Sequence, residues 1–311
     1  MKVVFFGTPE YAVPALRAII NSNHEVVAVV SQPDKPKGRS NKLVPTPVKA
    51  LAMEHGIDVY QPDKIRKDDI SQLLSIPADI YVTCAYGQIL GEDVLFNTKY
   101  GVINLHGSLL PKYRGASPVQ SVLINCESVT GVTVLKSGIG LDDGDILHSR
   151  ELVIDEDDNA ISLFDKLSNL SAEVIVDVLD KIERGNITYT PQDNSLATKC
   201  SLLSPEMGNI DFNLSAKKIV GLIKGLAMWP NARIIIDDVY FKLYNAKLSS
   251  IEEVAGYKPG QVVVADNKRG LHIMCADRAI EITEFLPINS KKMSARSYLN
   301  GKQIKIGSYV K

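Results

Sequence analysis

Cysteine is scarce and scattered in this chain of 311 residues: the four, Cys84, Cys126, Cys200 and Cys275, never stand close together. That spacing excludes a CxxC redox or zinc motif, and the apolar settings of Cys84 and Cys126 read as buried thiols. No apolar run reaches the roughly 18 residues of a membrane span. The opening MKVVFFGTPEY has one lysine and an apolar stretch too short for a secretory signal. A chain acting as a monomer in the cytoplasm, with no membrane partner, is the expectation. Glycine is missing where a dinucleotide fingerprint needs it. Gly7 ends the first apolar run, but GTPEYA has no second glycine, puts Ala12 at the third position, and loses a backbone N–H at Pro9. The turn therefore reads as a tight strand-to-helix connection, not a pyrophosphate cradle. No serine or cysteine has the surroundings of an activated nucleophile.

What is present is ordinary in bulk and uneven in distribution. Apolar residues make up 45% and charged residues 23% of the chain, which suits a soluble globular protein. The length suggests two domains with cores large enough to need no staples. The net charge of −1 conceals an asymmetry: residues 1–204 carry −7 and residues 205–311 carry +6. A basic module joined to an acidic one suggests a polyanionic partner, with chance variation in surface charge as the alternative.

The hydrophobic pattern alternates between two periods. KVVFFG, HEVVAVVSQ, DVYQP, ADIYVTCAYG, GVINLH and TGVTVLKS read as strands. PEYAVPALRAIINS, PVKALAMEHG, DDISQLLS, SPVQSVLINC and the long segment 161–185 read as helices, the last stopped by Gly185. Buried strands alternating with amphipathic helices predict an α/β fold with a doubly wound, mostly parallel sheet. Residues 188–208 have turn formers and no sustained period. A helix over 215–227 follows, and then the short strands ARIII, VYFKLYNAKL, GQVVVAD, GLHIMCA and AIEITEF, which predict a small β-barrel or sandwich. The expected division is a catalytic domain over 1–189, a linker over 190–205 and a C-terminal domain over 206–311.

Three stretches carry chemistry. The first is NLHGSLLPKYRGASP, from Asn104 to Pro118. Asn104 and His106 are two apart on a strand, so they share a face, and ligands of open α/β sheets bind beyond the carboxyl ends of the strands. An amide donor beside an imidazole is what acyl transfer needs, for the developing oxyanion and for proton movement. For an isolated strand-end histidine, capping by local hydrogen bonds is the alternative. The second is GIGLDDGDIL (138–147), with Asp142, Asp143 and Asp145 among glycines. It lacks the remaining ligands of a calcium loop. Asp143 and Asp145 read as solvated turn acids, whereas Asp142 would hold the His106 ring and favour its charged form if its loop folds over that strand end. The third is QPDKPKGRSNKL (32–43), where Lys35, Lys37, Arg39 and Lys42 face only Asp34, a local charge of +3. Leaving a strand at the ligand edge, it can reach a large anionic substrate and contact phosphates; a merely solvated loop is the other reading.

The core SLLP-x-x-RGA-x-P, with GLDDGD downstream, closely resembles the folate-dependent formyltransferases. VVFFGTPEYAVPAL, SQPDKPKGR with KLVPTPVKALA, TCAYGQIL and NIDFNLSAKKI extend the resemblance over nearly the whole chain, to the branch that acts on initiator methionyl-tRNA. The resemblance implies a Rossmann-like catalytic domain and an OB-like C-terminal barrel. It implies 10-formyltetrahydrofolate as co-substrate, no metal, and methionyl initiator tRNA as partner. Asn104, His106 and Asp142 fall on the family's catalytic positions, and Ser108, Leu109, Leu110 and Pro111 on its tetrahydrofolate contacts. Tyr86, Gly87, Gln88, Ile89 and Leu90 fall on the pterin wall, and Lys35, Lys37, Arg39 and Lys42 on the tRNA-facing loop. Ser117 replaces a commoner alanine, and Met228 stands where the family often has proline before Trp229-Pro230. Two relatives in reaction remain as alternatives. A glycinamide ribonucleotide enzyme needs only the first ~200 residues and leaves the basic module unexplained; a nucleotide-sugar enzyme has no use for the basic loop. A nucleic-acid-binding protein without catalysis would leave Asn104, His106 and Asp142 unexplained.

Overall fold

The computed structural model describes residues 1–37, 42–252 and 254–311. The chain forms two compact units, and neither is continuous in sequence. One comprises Met1–Gly115, Thr130–Leu152 and Phe164–Lys199; the other comprises Ala116–Val129, Val153–Leu163 and Cys200–Lys311.

The first unit is built on a seven-stranded sheet. Its strands are β1 (Lys2–Gly7), β2 (Glu25–Val30), β5 (Val59–Tyr60), β6 (Ile80–Cys84), β7 (Val102–His106), β8 (Val129–Lys136) and β9 (Ile146–Val153); β3 (Lys35–Lys37) and β4 (Lys42–Val44) form a separate antiparallel hairpin. The order is β9-β8-β7-β6-β1-β2-β5, with β5, β2, β1, β6 and β7 parallel and β8 antiparallel to β7. Val3, Val4, Phe5 and Phe6 are fully buried, which is why β1 reads as an unbroken apolar run. The chain winds outward from β1 in both directions, so the order reverses between β1 and β6, the place where open α/β sheets leave a crevice. At Gly7 a Cβ would come within 2.7 Å of Phe5 and 2.9 Å of Ala12, so only glycine permits the turn into the helix Val13–Ile20. Several expected elements are shorter than their pattern: the helix expected at DDISQLLS spans only Ser71–Leu74. The edge strand β9 closes the loop that carries Asp142, and the sequence pattern gives it no range of its own.

In the second unit, β10 (Ala232–Ile236), β11 (Val239–Leu248), β12 (Val262–Asp266), β13 (Gly270–Met274), β14 (Ala279–Pro287) and β15 (Met293–Ser294) make an antiparallel sheet of order β10-β11-β14-β13-β12, with β15 beside β14. Asp237 and Asp238, with φ of +47° and +61°, make the tight turn between β10 and β11. The terminal segment links the two edges. Lys311 exchanges backbone hydrogen bonds with Ile235 on β10, and Val310 N–H donates to Gly260 just before β12. The open sheet is thereby curled towards a barrel. Phe241, Phe285 and Tyr298 meet edge to face in its core.

The helix Pro118–Ile124 packs in this unit against Ala216–Gly225. Gly221 and Gly225 make the approach possible: a Cβ on either would run into the backbone carbonyls of Leu123 or Gln120. Composition alone could not place this helix with residues a hundred positions downstream. Cys126, expected to be buried, is half-exposed at that helix's end, and its thiol donates to Lys217 O at 3.2 Å. Cys84 is fully buried, and burial pushes its thiol up to about 12.

Candidate active site

The site lies where β7 ends, next to the end of β6. Thr83 on β6 is the register partner of Asn104 on β7, and its hydroxyl donates to Asn104 Oδ1 at 2.8 Å. That bond decides which way the carboxamide faces: the oxygen is taken, so the NH2 group points outward. It reaches Asp142 Oδ1 at 3.4 Å, long for a hydrogen bond. His106 is buried, and its Nε2 lies 2.9 Å from Tyr113 O. A carbonyl only accepts, so Nε2 carries a hydrogen and Nδ1 is the nitrogen free to exchange a proton. Nδ1 faces Asp142 Oδ2 at 3.7 Å.

Asp142 comes from the loop between β8 and β9 and completes the convergence. Its Oδ2 also accepts from Gly115 N–H at 2.9 Å, and its backbone is left-handed at φ +49°. A non-glycine residue in that region costs about 1–3 kcal/mol and persists where its surroundings hold it. Gly144 is tied to the same geometry, since a Cβ there would strike Lys136 O. Tyr113, which supplies the carbonyl for His106, is left-handed too, at φ +61°. Asp143 is exposed and Asp145 half-buried, and among the described residues the acid that faces Asn104 and His106 is Asp142.

One buttress of this loop was not visible in the sequence. Gln192 donates both amide hydrogens to the 142–144 turn, to Asp142 O at 2.9 Å and Gly144 O at 2.7 Å. Its Oε1 accepts from Arg114 Nε at 3.1 Å and Nη2 at 2.7 Å, and the same Nη2 donates to Asn194 Oδ1 at 2.8 Å. Thr198 holds the other side: its Oγ1 accepts from Tyr113 N–H and its carbonyl from Arg114 N–H, both at 2.9 Å. Residues 192–198, within the stretch expected to be a linker, thus brace the loops carrying the candidate acid and imidazole. Only turn formers without a period marked them.

The segment Ser108–Pro111 follows β7 directly. Ser108 is buried and donates to Lys112 O, Leu110 N–H donates to Thr133 Oγ1, and Thr133 Oγ1 donates to Ser108 O at 2.7 Å. The Leu110–Pro111 peptide is cis. Leu109 stays half-exposed. The loop Tyr86–Leu90 follows β6. Its residues divide differently from the expectation that all five line one wall. The Tyr86 ring is buried edge-on against Phe6, and burial, with Asp68 adding to it, holds its hydroxyl protonated. Tyr86 offers only its carbonyl, which accepts from Thr8 Oγ1 and Gln32 Nε2. Gly87 is left-handed at φ +85° and lies against the Gln32 side chain; Gln88 turns back to Ile65 N–H; Leu90 packs on the core. Ile89 is 68% exposed, and in the Asp142 loop Ile139 and Leu141 are 73% and 57% exposed. Apolar side chains on the loops that carry a polar cluster suit a flat heteroaromatic ligand.

The basic loop is rooted at the end of β2. Asp34, its single acid, accepts from Lys49 Nζ at 2.6 Å and from Gln61 Nε2 at 2.8 Å, while Lys49 also reaches Gln61 Oε1 at 2.7 Å. Burial alone would raise the Asp34 carboxyl, but the bonds from Lys49 and Gln61 outweigh it and hold it below the usual range. The acid is therefore satisfied internally and neutralises none of the loop's outward charge. Lys35 is exposed, and Lys37 and Lys42 stand on the two strands of the hairpin. Arg39 lies outside the described residues. Below the hairpin a cavity of about 260 Å³ opens between Thr8, Gln32, Lys35, Pro36, Val44 and Thr46. Among the described residues, no helix is long and apolar enough to cross a membrane.

Comparison with known proteins shows the family of the chain. Residues 1–179 match the family described as formyl transferase, and residues 202–303 match the formyl transferase C-terminal domain. The chain is 41% identical over 308 residues, 99% of its length and 98% of the relative's, to a methionyl-tRNA formyltransferase of Ruminiclostridium cellulolyticum. A methionyl-tRNA formyltransferase of Sulfurihydrogenibium is 41% identical over 309 residues, covering 99% of both chains. Among solved structures, WlaRD, a sugar 3N-formyl transferase solved with dTDP and 5-N-formyl-THF, superposes with a TM-score of 0.70 at 20% identity, over 94% of this chain and 99% of its own. The methionyl-tRNA formyltransferase from Clostridium thermocellum gives 0.55 at 16% identity, over 80% and 94%. At such identities the structural matches speak for the fold alone.

Proposed function

We propose that this chain, which belongs to the formyl transferase family, moves the formyl group of 10-formyltetrahydrofolate to the α-amine of methionine on initiator tRNA, in the cytoplasm. The observation that carries the reading is the convergence of Asn104, His106 and Asp142 from two distant segments, with Asp142 3.4 Å from Asn104 Nδ2 and 3.7 Å from His106 Nδ1.

The chemistry follows from those groups. The α-amine, whose pKa lies near about 8, attacks as the free base. As its nitrogen bonds to the formyl carbon, the carbonyl oxygen gains charge. Asn104 Nδ2 and the His106 Nδ1–H are the donors for it. Their present partner is the Asp142 carboxylate at long range, so turning to a developing oxyanion gives up little. Asp142 steadies the charged ring and takes the proton that the attacking amine must lose, directly or through water. Delivery of that proton to N10 of the folate lets the old C–N bond break, and the sum is one amide formed and one amine released. The exposed Ile89, Ile139 and Leu141, with Leu109, supply apolar contact for a pterin. Lys35, Lys37, Arg39 and Lys42 would hold tRNA phosphates, and the cavity under the hairpin leaves room for the acceptor end at the same sheet edge.

The test is transfer of labelled formyl from 10-formyltetrahydrofolate to methionyl initiator tRNA, run beside glycinamide ribonucleotide and an amino-sugar nucleotide. Transfer to the tRNA alone is expected. Label on either small acceptor in preference to the tRNA would overturn the choice of substrate.

A further inference from the structure

Gln192, a side chain outside the polar cluster, holds the turn of Asp142 at both of its ends. Its Nε2 reaches Asp142 O at 2.9 Å and Gly144 O at 2.7 Å, so both amide hydrogens are spent on the loop. Its Oε1 is spent on Arg114, at 3.1 and 2.7 Å. Arg114 is itself buried and tied to Asn194. The site needs two donors on one side and an acceptor on the other. Only a carboxamide of this length offers both: glutamate would set an oxygen against two carbonyls, and methionine offers neither.

The consequence reaches the chemistry through Asp142. Its backbone is left-handed, a conformation that a β-carbon opposes, so the turn relaxes unless something holds it. The one carboxylate whose two oxygens face Asn104, Gly115 and His106 is placed by that turn. The hydrogen bonds of Gln192 go instead to Arg114 and to the backbone of Asp142 and Gly144. Arg114 adds a second link, since it sits between Tyr113, whose carbonyl takes the His106 Nε2–H, and Gly115, whose N–H holds Asp142.

We propose that Gln192, gripped by Arg114, is a positioning residue for formyl transfer: it locks the 142–144 turn so that the Asp142 carboxylate stays between the amide and the imidazole. This rests on the reading of Asn104, His106 and Asp142 as the reacting cluster. Displacing a reacting group by about an ångström costs up to roughly a hundredfold in rate.

The experiment uses the full chain with Gln192→Met, which removes every hydrogen bond at similar length, and Gln192→Glu, which keeps the bond to Arg114. Both should lose kcat by about ten- to a hundredfold, with KM for the folate and for the tRNA within about threefold of wild type. In an Asp142→Asn background, Gln192→Met should cost nothing further, because the group it positions is already disabled. Hydrogen exchange gives a readout that needs no turnover: peptides covering 138–146 and 112–117 should exchange faster in Gln192→Met, while those over β1 and β6 stay unchanged. Wild-type kcat in both variants, a loss confined to KM, a full additional loss in the Asp142→Asn background, or unchanged exchange at 138–146 would each overturn the proposal. If the wild-type chain formylates no charged tRNA, the substrate reading fails while the exchange result still decides the role of Gln192.

Discussion

Truncating Asn104 to alanine tests the geometry most directly. Asn104 Oδ1 is held by Thr83 at 2.8 Å, so its NH2 group is aimed before any substrate arrives. Among the described residues that NH2 group has a weak partner, Asp142 Oδ1 at 3.4 Å. Little ground-state bonding is therefore lost in the Asn104→Ala variant, and the missing interaction is one that gains strength as the oxyanion forms. An oxyanion donor of this kind is worth about 3 kcal/mol, and at about 1.36 kcal/mol per decade that is a little over a hundredfold in rate. The loss should fall on kcat, because a donor used mainly in the transition state leaves ground-state binding alone. The assay is single-turnover transfer with enzyme in excess over charged tRNA, alongside a folate-analogue binding titration. Thr83→Val should give a smaller loss of about tenfold or less, since it removes a neutral hydrogen bond of about 1 kcal/mol and with it the aim of the amide. If Asn104→Ala retained the rate within about threefold, or lost it entirely through weaker folate binding, the donor assignment would be refuted.

Three further outcomes are expected. His106→Ala should cut turnover by about a hundredfold or more with the far-ultraviolet circular dichroism of the wild type, and turnover near wild type would remove the ring from the mechanism. Lys35→Ala and Arg39→Ala should raise KM for tRNA, leave folate KM alone, and reduce the slope of log affinity against log salt by about one each; unchanged tRNA KM would return the loop to simple solvation. Asp34, whose carboxyl is held low by Lys49 and Gln61, stabilises the fold above the ordinary carboxylate range near about 4 and loses that contribution as pH falls through its depressed value. Asp34→Asn should therefore be less stable than wild type at pH near 7 in urea melts, and the gap should narrow as pH falls through the depressed value of the Asp34 carboxyl. A gap independent of pH would mean that the ion pair with Lys49 contributes nothing.

The parts of this site differ in how far the sequence exposes them, and the difference is physical. β1, β6 and β7 are legible because strands buried on both faces must be apolar throughout, and Val3 to Phe6 leave no surface at all. β9, by contrast, lies at the sheet edge with only Leu147 buried and the consecutive residues Ser149, Arg150 and Glu151 exposed in its middle, so its pattern looks like a loop. Asn104 and His106 are legible as a pair because a strand's twofold period sets their common face. The resemblance puts Tyr86 on the pterin wall, and the structure adds that Phe6 takes its ring into the core while its carbonyl accepts from Thr8 and Gln32.

Asp142 and Gln192 mark where such reading stops. A carboxylate among glycines is a visible candidate, yet nothing in a separation of 38 residues says that its oxygens fall between Asn104 and His106. Gln192 leaves no signal of its own, because its partners on the loop are the backbone carbonyls of Asp142 and Gly144. Every residue carries a carbonyl, so a side chain that recognises carbonyls matches no particular sequence pattern. Composition marks the residues that could react, while the residues that place them bind through groups common to all sequences. For this chain, the perturbations that separate the two classes are therefore substitutions at Gln192 and Thr83, which alter aim, set against those at Asn104 and His106, which delete chemistry. Losses at the first pair should vanish once the residue each one aims has been removed, and losses at the second pair should not.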